Sequence, residues 1–137
     1  MKKIHFVLGP SGCGKTVFIK QHPVLSALPR YDILSYQTLL NSSWTARSIL
    51  ESYVVHRRAW LNFIESHPTA DVVVEHTLLR AVRRAYYLDK VKDLGYHVVC
   101  WCPTRPEGAL DPAWDVFERP THEEGFNEIK EISPWTE

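Results

Sequence analysis

The sequence has no excess of either charge: Lys and Arg number 16, Asp and Glu number 16, and the net charge is zero with histidine neutral. That balance excludes a general electrostatic pull toward nucleic acid or a membrane surface and leaves only local patches to consider. No apolar run approaches the roughly 18 residues of a spanning helix, so no membrane partner is expected. The amino end, "MKKIHFVL", is a strand pattern without the apolar core of a secretory leader, and the expected compartment is cytoplasmic. Cysteine is scarce and odd in number. Cys13, Cys100 and Cys102 cannot all pair within one chain, and "CWC" puts one residue between its thiols where zinc and redox pairs have two. Cys100 and Cys102 are instead expected to flank a strand end. The seven histidines show no metal-ligand spacing and no His-Glu-x-x-His. There is no internal repeat and no low-complexity tract.

What is present suits one soluble domain. The 137 residues are 45% hydrophobic and 23% charged, enough for one core and too few for two. "KIHFVL" is short, β-rich and apolar, which predicts a strand over Ile4 to Leu8. "KTVFIKQ" predicts a short helix that Pro23 ends. "YDILSYQTLL" predicts a second strand near Ile33 to Ser35, and Asn41, Ser42 and Ser43 suit a cap or turn. Ala46, Ile49, Leu50, Tyr53, Val54, Trp60, Leu61 and Ile64 recur at helical spacing, with Glu51, Arg57, Arg58 and Glu65 facing outward. "ADVVVEHT" reads as a buried strand ending in polar groups. "LLRAVRRAYYLDKVKDLGY" reads as a helix with Gly95 as its C-cap, and Tyr96 to Trp101 as a fourth strand. Residues 103–120 are rich in proline, glycine and charge, a short lid or mobile segment with room for a short helix. An edge strand is expected near Ile129 to Ile132. This alternation predicts an α/β fold with a central, mostly parallel sheet flanked by helices, and functional residues at the carboxyl ends of its strands.

The first of those ends carries "GPSGCGKT", positions 9 to 16. Gly9, Gly14, Lys15 and Thr16 satisfy the phosphate-loop pattern G-x-x-x-x-G-K-T, with a strand before it and a helix after. Glycines let successive backbone N–H groups turn inward around an anion. Lys15 is placed to reach the β- and γ-phosphates of a nucleoside triphosphate, and Thr16 to offer its hydroxyl to Mg²⁺. Ser11 and Gly12 widen the cradle, Pro10 continues it, and Cys13 faces one side. No guanine-reading Asn-Lys-x-Asp occurs, which favours ATP. The whole of residues 1–137 is expected to form a single domain of the P-loop NTPase fold.

Three stretches, "GPSGCGKT", "VVVEHTLLRAVRRAYYLDKVKDLGYHVV" and "FERPTHEEGFNEI", together resemble the small P-loop kinases related to the 5′-kinase domain of polynucleotide kinase. The last stretch is similar to that family's Phe-Glu-x-Pro-Thr-x-x-Glu-Gly-Phe-x-x-Ile ending. The resemblance implies Mg²⁺-dependent transfer of the γ-phosphoryl of ATP to a hydroxyl, on a DNA or RNA 5′ end or on a small acceptor. It also exposes three departures. The family's general-base Asp falls at Gln37, whose neutral amide can only hydrogen-bond an acceptor, and its companion Arg falls at Leu40. Asp32 lies nearby, before the expected strand. The family's Asp-Asn-Thr after the third strand is here Glu75, His76 and Thr77. Glu75 has two readings: a carboxylate holding a Mg²⁺-bound water or orienting the acceptor, or a structural partner of Arg80 or Arg83. His76 can accept a proton as a neutral imidazole. The lid is short and holds one arginine, Arg105, which either neutralises charge on the transferred phosphoryl or lies in solvent beside a proline turn.

Two functions follow for testing: a kinase, or a nucleotide-binding module or slow ATPase that has lost efficient transfer with Gln37 and Leu40. Arg80, Arg83 and Arg84, with Arg57 and Arg58, form either a surface for acceptor phosphates or a solvated helix face. Tyr86, Tyr87, Trp60 and Phe63 are expected to pack in or beside the core, while Trp101, Trp114 and Trp135 stay open.

Overall fold

A computed structural model describes residues 2–10, 12–32 and 57–132. Its elements are β1 (Lys3–Val7), α1 (Lys15–Gln21), β2 (Arg30–Asp32), α2 (residues 57–65), β3 (Val72–Glu75), α3 (Ala81–Asp93), β4 (His97–Pro103), α4 (Ala113–Val116) and β5 (Glu128–Ile132). The five strands form one sheet in the order β2-β3-β1-β4-β5, and every pairing is parallel. All-parallel sheets need cover on both faces, and the near-continuous apolar runs of β1, β3 and β4 provide for it.

Side-chain alternation divides the strands between two cores. Ile4, Phe6, Leu8, Val72, Val74, Val98, Cys100 and Cys102 face α2 and α3, where Trp60, Ile64, Tyr87, Leu88 and Val91 close the layer. Val7, Val73, Val99 and Trp101 face the other way, onto Ile19 of α1 and Leu25 in the turn that follows. The aromatic residues expected in the core lie there: Trp60 meets Tyr87 edge-on at 4.8 Å, and Tyr86 and Phe63 are half-buried against the same layer. Trp101 is buried and donates its Nε1–H to His5 Nδ1 at 3.0 Å. Trp114 is half-buried with Phe117 edge-on at 6.1 Å, and Trp135 lies outside the described residues. Cys100 and Cys102 are buried free thiols in the second half of β4.

β1 is first in the chain and central in the sheet. The chain leaves it toward β2 and β3 on one side and later reaches β4 and β5 on the other. The reversal opens a crevice outside the carboxyl end of β1, where parallel α/β sheets take their ligands. "GPSGCGKT" begins two residues after β1 ends, so the topology puts it at that crevice.

The second strand departs from expectation. Pairing runs over Arg30–Asp32, in register with Val73–Glu75, and the expected stretch 33–35 lies outside the described residues. Asp32, expected before the strand, belongs to it and pairs in register with Glu75. A strand at the end of the sheet is built from backbone hydrogen bonds and tolerates charged side chains, so apolarity alone did not reveal Arg30–Asp32. Of the long helix expected from Ala46, residues 57–65 are described and helical; Trp60 and Ile64 are buried, and Arg57, Arg58 and Glu65 exposed, as its periodicity requires. Among the described residues, no helix is long and apolar enough to cross a membrane.

Candidate active site

Gly9, Gly12 and Gly14 take φ values of 137°, 82° and 100°, backbone that a side chain disfavours. Gly9 is held for a second reason: a Cβ there would lie 2.7 Å from Pro103 Cγ and 2.9 Å from Cys13 Sγ. The end of β4 therefore presses directly on the start of the loop. Lys15, 4% exposed, opens α1 and folds back so that its ammonium donates to the carbonyls of Gly9 (2.8 Å) and Pro10 (3.1 Å). Burial pushes the Cys13 thiol up from its ordinary value, so it adds no negative charge beside the loop at neutral pH. Ser11 lies outside the described residues.

Thr16, one position on, donates its hydroxyl to Glu75 Oε2 at 2.5 Å. Glu75 is 2% exposed and ends β3, directly opposite Val7 in the register of the central pair. Its other oxygen accepts from Arg30 Nη1 at 2.8 Å. Glu75 thus pairs with Arg30 of β2, where the sequence pointed to Arg80 or Arg83. Arg30 was missed because it lies 45 residues from Glu75 and only the parallel register joins them. The hydroxyl and carboxylate are two hard oxygen donors side by side. Magnesium takes about that many protein ligands where phosphates and water supply the rest. Among the described residues, no group of three His, Cys, Asp or Glu is placed to hold a metal ion by itself.

The next residues form a loop fastened on all sides. His76 N–H donates to Val7 O at 3.1 Å, and Gly9 N–H donates to Thr77 O at 3.3 Å, so this loop and the glycine loop share backbone bonds. Leu78 has φ 36°, left-handed backbone in a buried, non-glycine residue. Arg84 holds it there. Its Nη1 donates to Leu78 O at 3.0 Å, and its Nε and Nη2 donate to the two Glu124 oxygens at 2.7 and 3.1 Å. Arg84 is 1% exposed, so its expected place in a surface cluster is corrected: it is an internal clamp, neutralised by a carboxylate 40 residues later. The same Glu124 accepts from Thr121 N–H at 2.8 Å in a capping box, and Glu118 N–H donates to Leu79 O at 2.7 Å. The "FERPTHEEGF" stretch is thereby explained as the piece that locks α3 and its entry loop.

Beside this loop lies a cavity of about 310 Å³, lined by Arg57, His76, Thr77, Leu78, Leu79, Arg80, Arg83, Tyr87 and Val116. The His76 ring stands edge-on to Tyr87 at 5.5 Å. Thr77 gives the cavity a common wall with the glycine loop. Arg105 is engaged within its own segment, donating to Asp115 Oδ1 at 2.8 Å and Ala109 O at 3.0 Å. Lys15, Thr16, Glu75 and His76 are therefore gathered around the carboxyl ends of β1 and β3, whereas Arg105 bonds along residues 105–115. Gln37 and Leu40 lie outside the described residues.

In comparisons with known families and curated proteins, no family model and no curated protein matches this chain.

Proposed function

We propose that the protein is an ATP-dependent phosphotransferase of the P-loop NTPase fold, moving a γ-phosphoryl group from Mg²⁺-bound nucleotide to a hydroxyl. The observation that carries the reading is the 2.5 Å contact between Thr16 of the glycine loop and Glu75 at the end of the neighbouring strand. It joins the loop motif to a buried carboxylate through the sheet register, an arrangement a chance glycine turn does not produce. The all-parallel sheet with the loop at its crevice supports the same reading.

Gly12 and Gly14 would turn their backbone N–H groups to the phosphates, while Gly9, Pro10 and Cys13 shape the loop around them, the Gly9 N–H being bonded to Thr77 O and the Cys13 N–H to Pro10 O. Lys15 would exchange its two loop carbonyls for phosphate oxygens. Thr16 and Glu75 would hold Mg²⁺ directly or through a water, with Arg30 fixing the carboxylate. When bound, the magnesium nucleotide supplies the transferable phosphoryl and neutralises its charge. Transfer passes through a loose transition state, so positioning outweighs early removal of the acceptor proton. His76 lines the cavity and is the residue assigned to receive that proton.

A second reading is a nucleotide-binding module or slow ATPase. The observation favouring it is Arg105, bonded to Asp115 and Ala109 along its own segment. Release of labelled phosphate from γ-labelled ATP, with and without a panel of hydroxyl acceptors, separates the two. A kinase yields acceptor-bound label; an ATPase yields inorganic phosphate at a rate indifferent to acceptor. Acceptor-independent release across the panel would overturn the kinase reading.

A further inference from the structure

Glu75 ends β3 beside the glycine loop, and its two oxygens are divided between two partners. Oε2 accepts from the Thr16 hydroxyl at 2.5 Å, and Oε1 accepts from Arg30 Nη1 at 2.8 Å. One oxygen is thereby held at the first turn of α1 and the other by β2.

The backbone sets that division. β2 runs parallel to β3 with Arg30 opposite Val73, so Glu75 lies two positions farther along the neighbouring strand, on the same face of the sheet. A long side chain spans that diagonal, and the guanidinium of Arg30 reaches the carboxylate. Guanidinium stays charged across the working pH range and is more weakly hydrated than an ammonium, so it is a lasting donor to one oxygen. The Arg30 side chain is 29% exposed and that of Glu75 only 3%, so the bond grips the carboxylate where water competes little for it.

We infer that Arg30 selects the metal of this site: by occupying Oε1 it leaves Glu75 a single oxygen to offer, which favours Mg²⁺ over Ca²⁺. This rests on the Mg²⁺-nucleotide reading above. The two ions ask different things of a carboxylate. Mg²⁺ keeps a near-octahedral set of about six oxygens, several of them water, and needs few carboxylate oxygens from the protein. Ca²⁺ is larger, gathers about six to eight oxygens in looser geometry, and readily takes a carboxylate through both of its own. With Oε1 on Arg30, two-oxygen binding breaks the Arg30 bond and sets a guanidinium against a divalent cation. One-oxygen binding leaves that bond intact and displaces only the Thr16 contact, whose hydroxyl is itself a hard donor. Arg30 acts on the metal only through Glu75 and is a positioning residue for it.

A pair that merely neutralised a buried charge would show none of this preference. The test is calorimetric titration of ATP into the folded full chain in Mg²⁺, in Ca²⁺ and in EDTA. In the wild type, Kd in Ca²⁺ is expected to exceed Kd in Mg²⁺ at least about tenfold, the scale on which partners of a metal's ligands act. Arg30→Gln removes the charge from Oε1, and its ratio is expected to fall to about threefold or less, with ATP affinity in EDTA unchanged. Arg30→Lys keeps the charge without the planar fork and is expected to give an intermediate ratio, a partial rescue that a packing role does not produce. Circular dichroism checks the folding of each variant, and Arg30→Lys carries the comparison alone if Arg30→Gln does not fold. Equal affinity in the two metals for the wild type overturns the proposal, as does a wild-type ratio in the variants. A loss shared equally by Mg²⁺, Ca²⁺ and EDTA assigns Arg30 to the fold and overturns it too. ATP that binds no better in Mg²⁺ than in EDTA sinks the magnesium-nucleotide reading itself, whereas Mg²⁺-dependent binding without preference over Ca²⁺ sinks only the role of Arg30.

Discussion

Lys15, Thr16 and Glu75 make different demands on the same few ångströms. Lys15 is buried yet satisfied by two carbonyls, so its removal leaves acceptors facing the loop and takes one positive charge from the proposed phosphate cradle. Lys15→Ala is expected to weaken triphosphate binding by about 2–3 kcal/mol, or thirty- to more than a hundredfold in Kd, with folding retained by circular dichroism. Glu75→Gln keeps the shape and removes the charge. It is expected to blunt the magnesium dependence of turnover, measured as activity against Mg²⁺ concentration; an unchanged dependence would reduce Glu75 to a partner of Arg30. Gln37→Asp restores a carboxylate where the kinase resemblance has its base, and a gain in transfer without a change in ATP KM is the expected result. Lys15, Thr16 and Glu75 were all legible as candidates that the fold brings together, because the loop spacing and a polar residue ending an apolar run are local signals. Arg30 was not legible, because its importance comes entirely from the register of β2 on β3.

The elements show a similar division. β1, α1, β3 and α3 follow from apolar runs and helical spacing, and α1 begins at Lys15, where the glycine loop ends. β2 lies at an end of the sheet, and with Arg30 and Asp32 among its three residues it has little apolar signature to place it. α3 conceals the larger lesson. Three arginines in five residues look alike in sequence, yet Arg84 is internal and Arg80 and Arg83 are exposed. The helix period alone separates them only once the buried face is known, and Glu124 identifies that face from 40 residues away. Arg84→Ala is expected to destabilise the fold by about 3–5 kcal/mol in urea denaturation, since it strands a carboxylate and releases the strained Leu78 carbonyl. A loss under 1 kcal/mol would contradict the clamp. Gly9→Ala is expected to disturb the loop rather than the core, because its Cβ would meet Pro103 and its φ would be strained.

Across the sheet, the two faces carry different chemistry. The face toward α2 and α3 is almost wholly apolar, whereas the α1 side includes His5, 7% exposed beneath Trp101. Burial lowers the His5 pKa from 6.5 to about 4, so the folded protein holds it neutral. The unfolded chain takes up that proton first, so stability is intact above pH 6.5 and declines as pH falls toward 4. The full effect is about 3 kcal/mol once pH is below the folded value. Urea midpoints at pH 7 and pH 5 are expected to separate more in the wild type than in His5→Gln; equal separations would remove His5 as the cause.

The claim beneath all of this is that the loop from Gly9 to Thr16, with Glu75 beside it, receives a magnesium-bound triphosphate. Calorimetric titration of ATP into the folded wild-type protein, in Mg²⁺ and then in EDTA, addresses it most directly. Saturable binding in Mg²⁺ that weakens sharply in EDTA is the predicted result. Folded protein with no magnesium-dependent affinity for ATP or any other nucleoside triphosphate would contradict it.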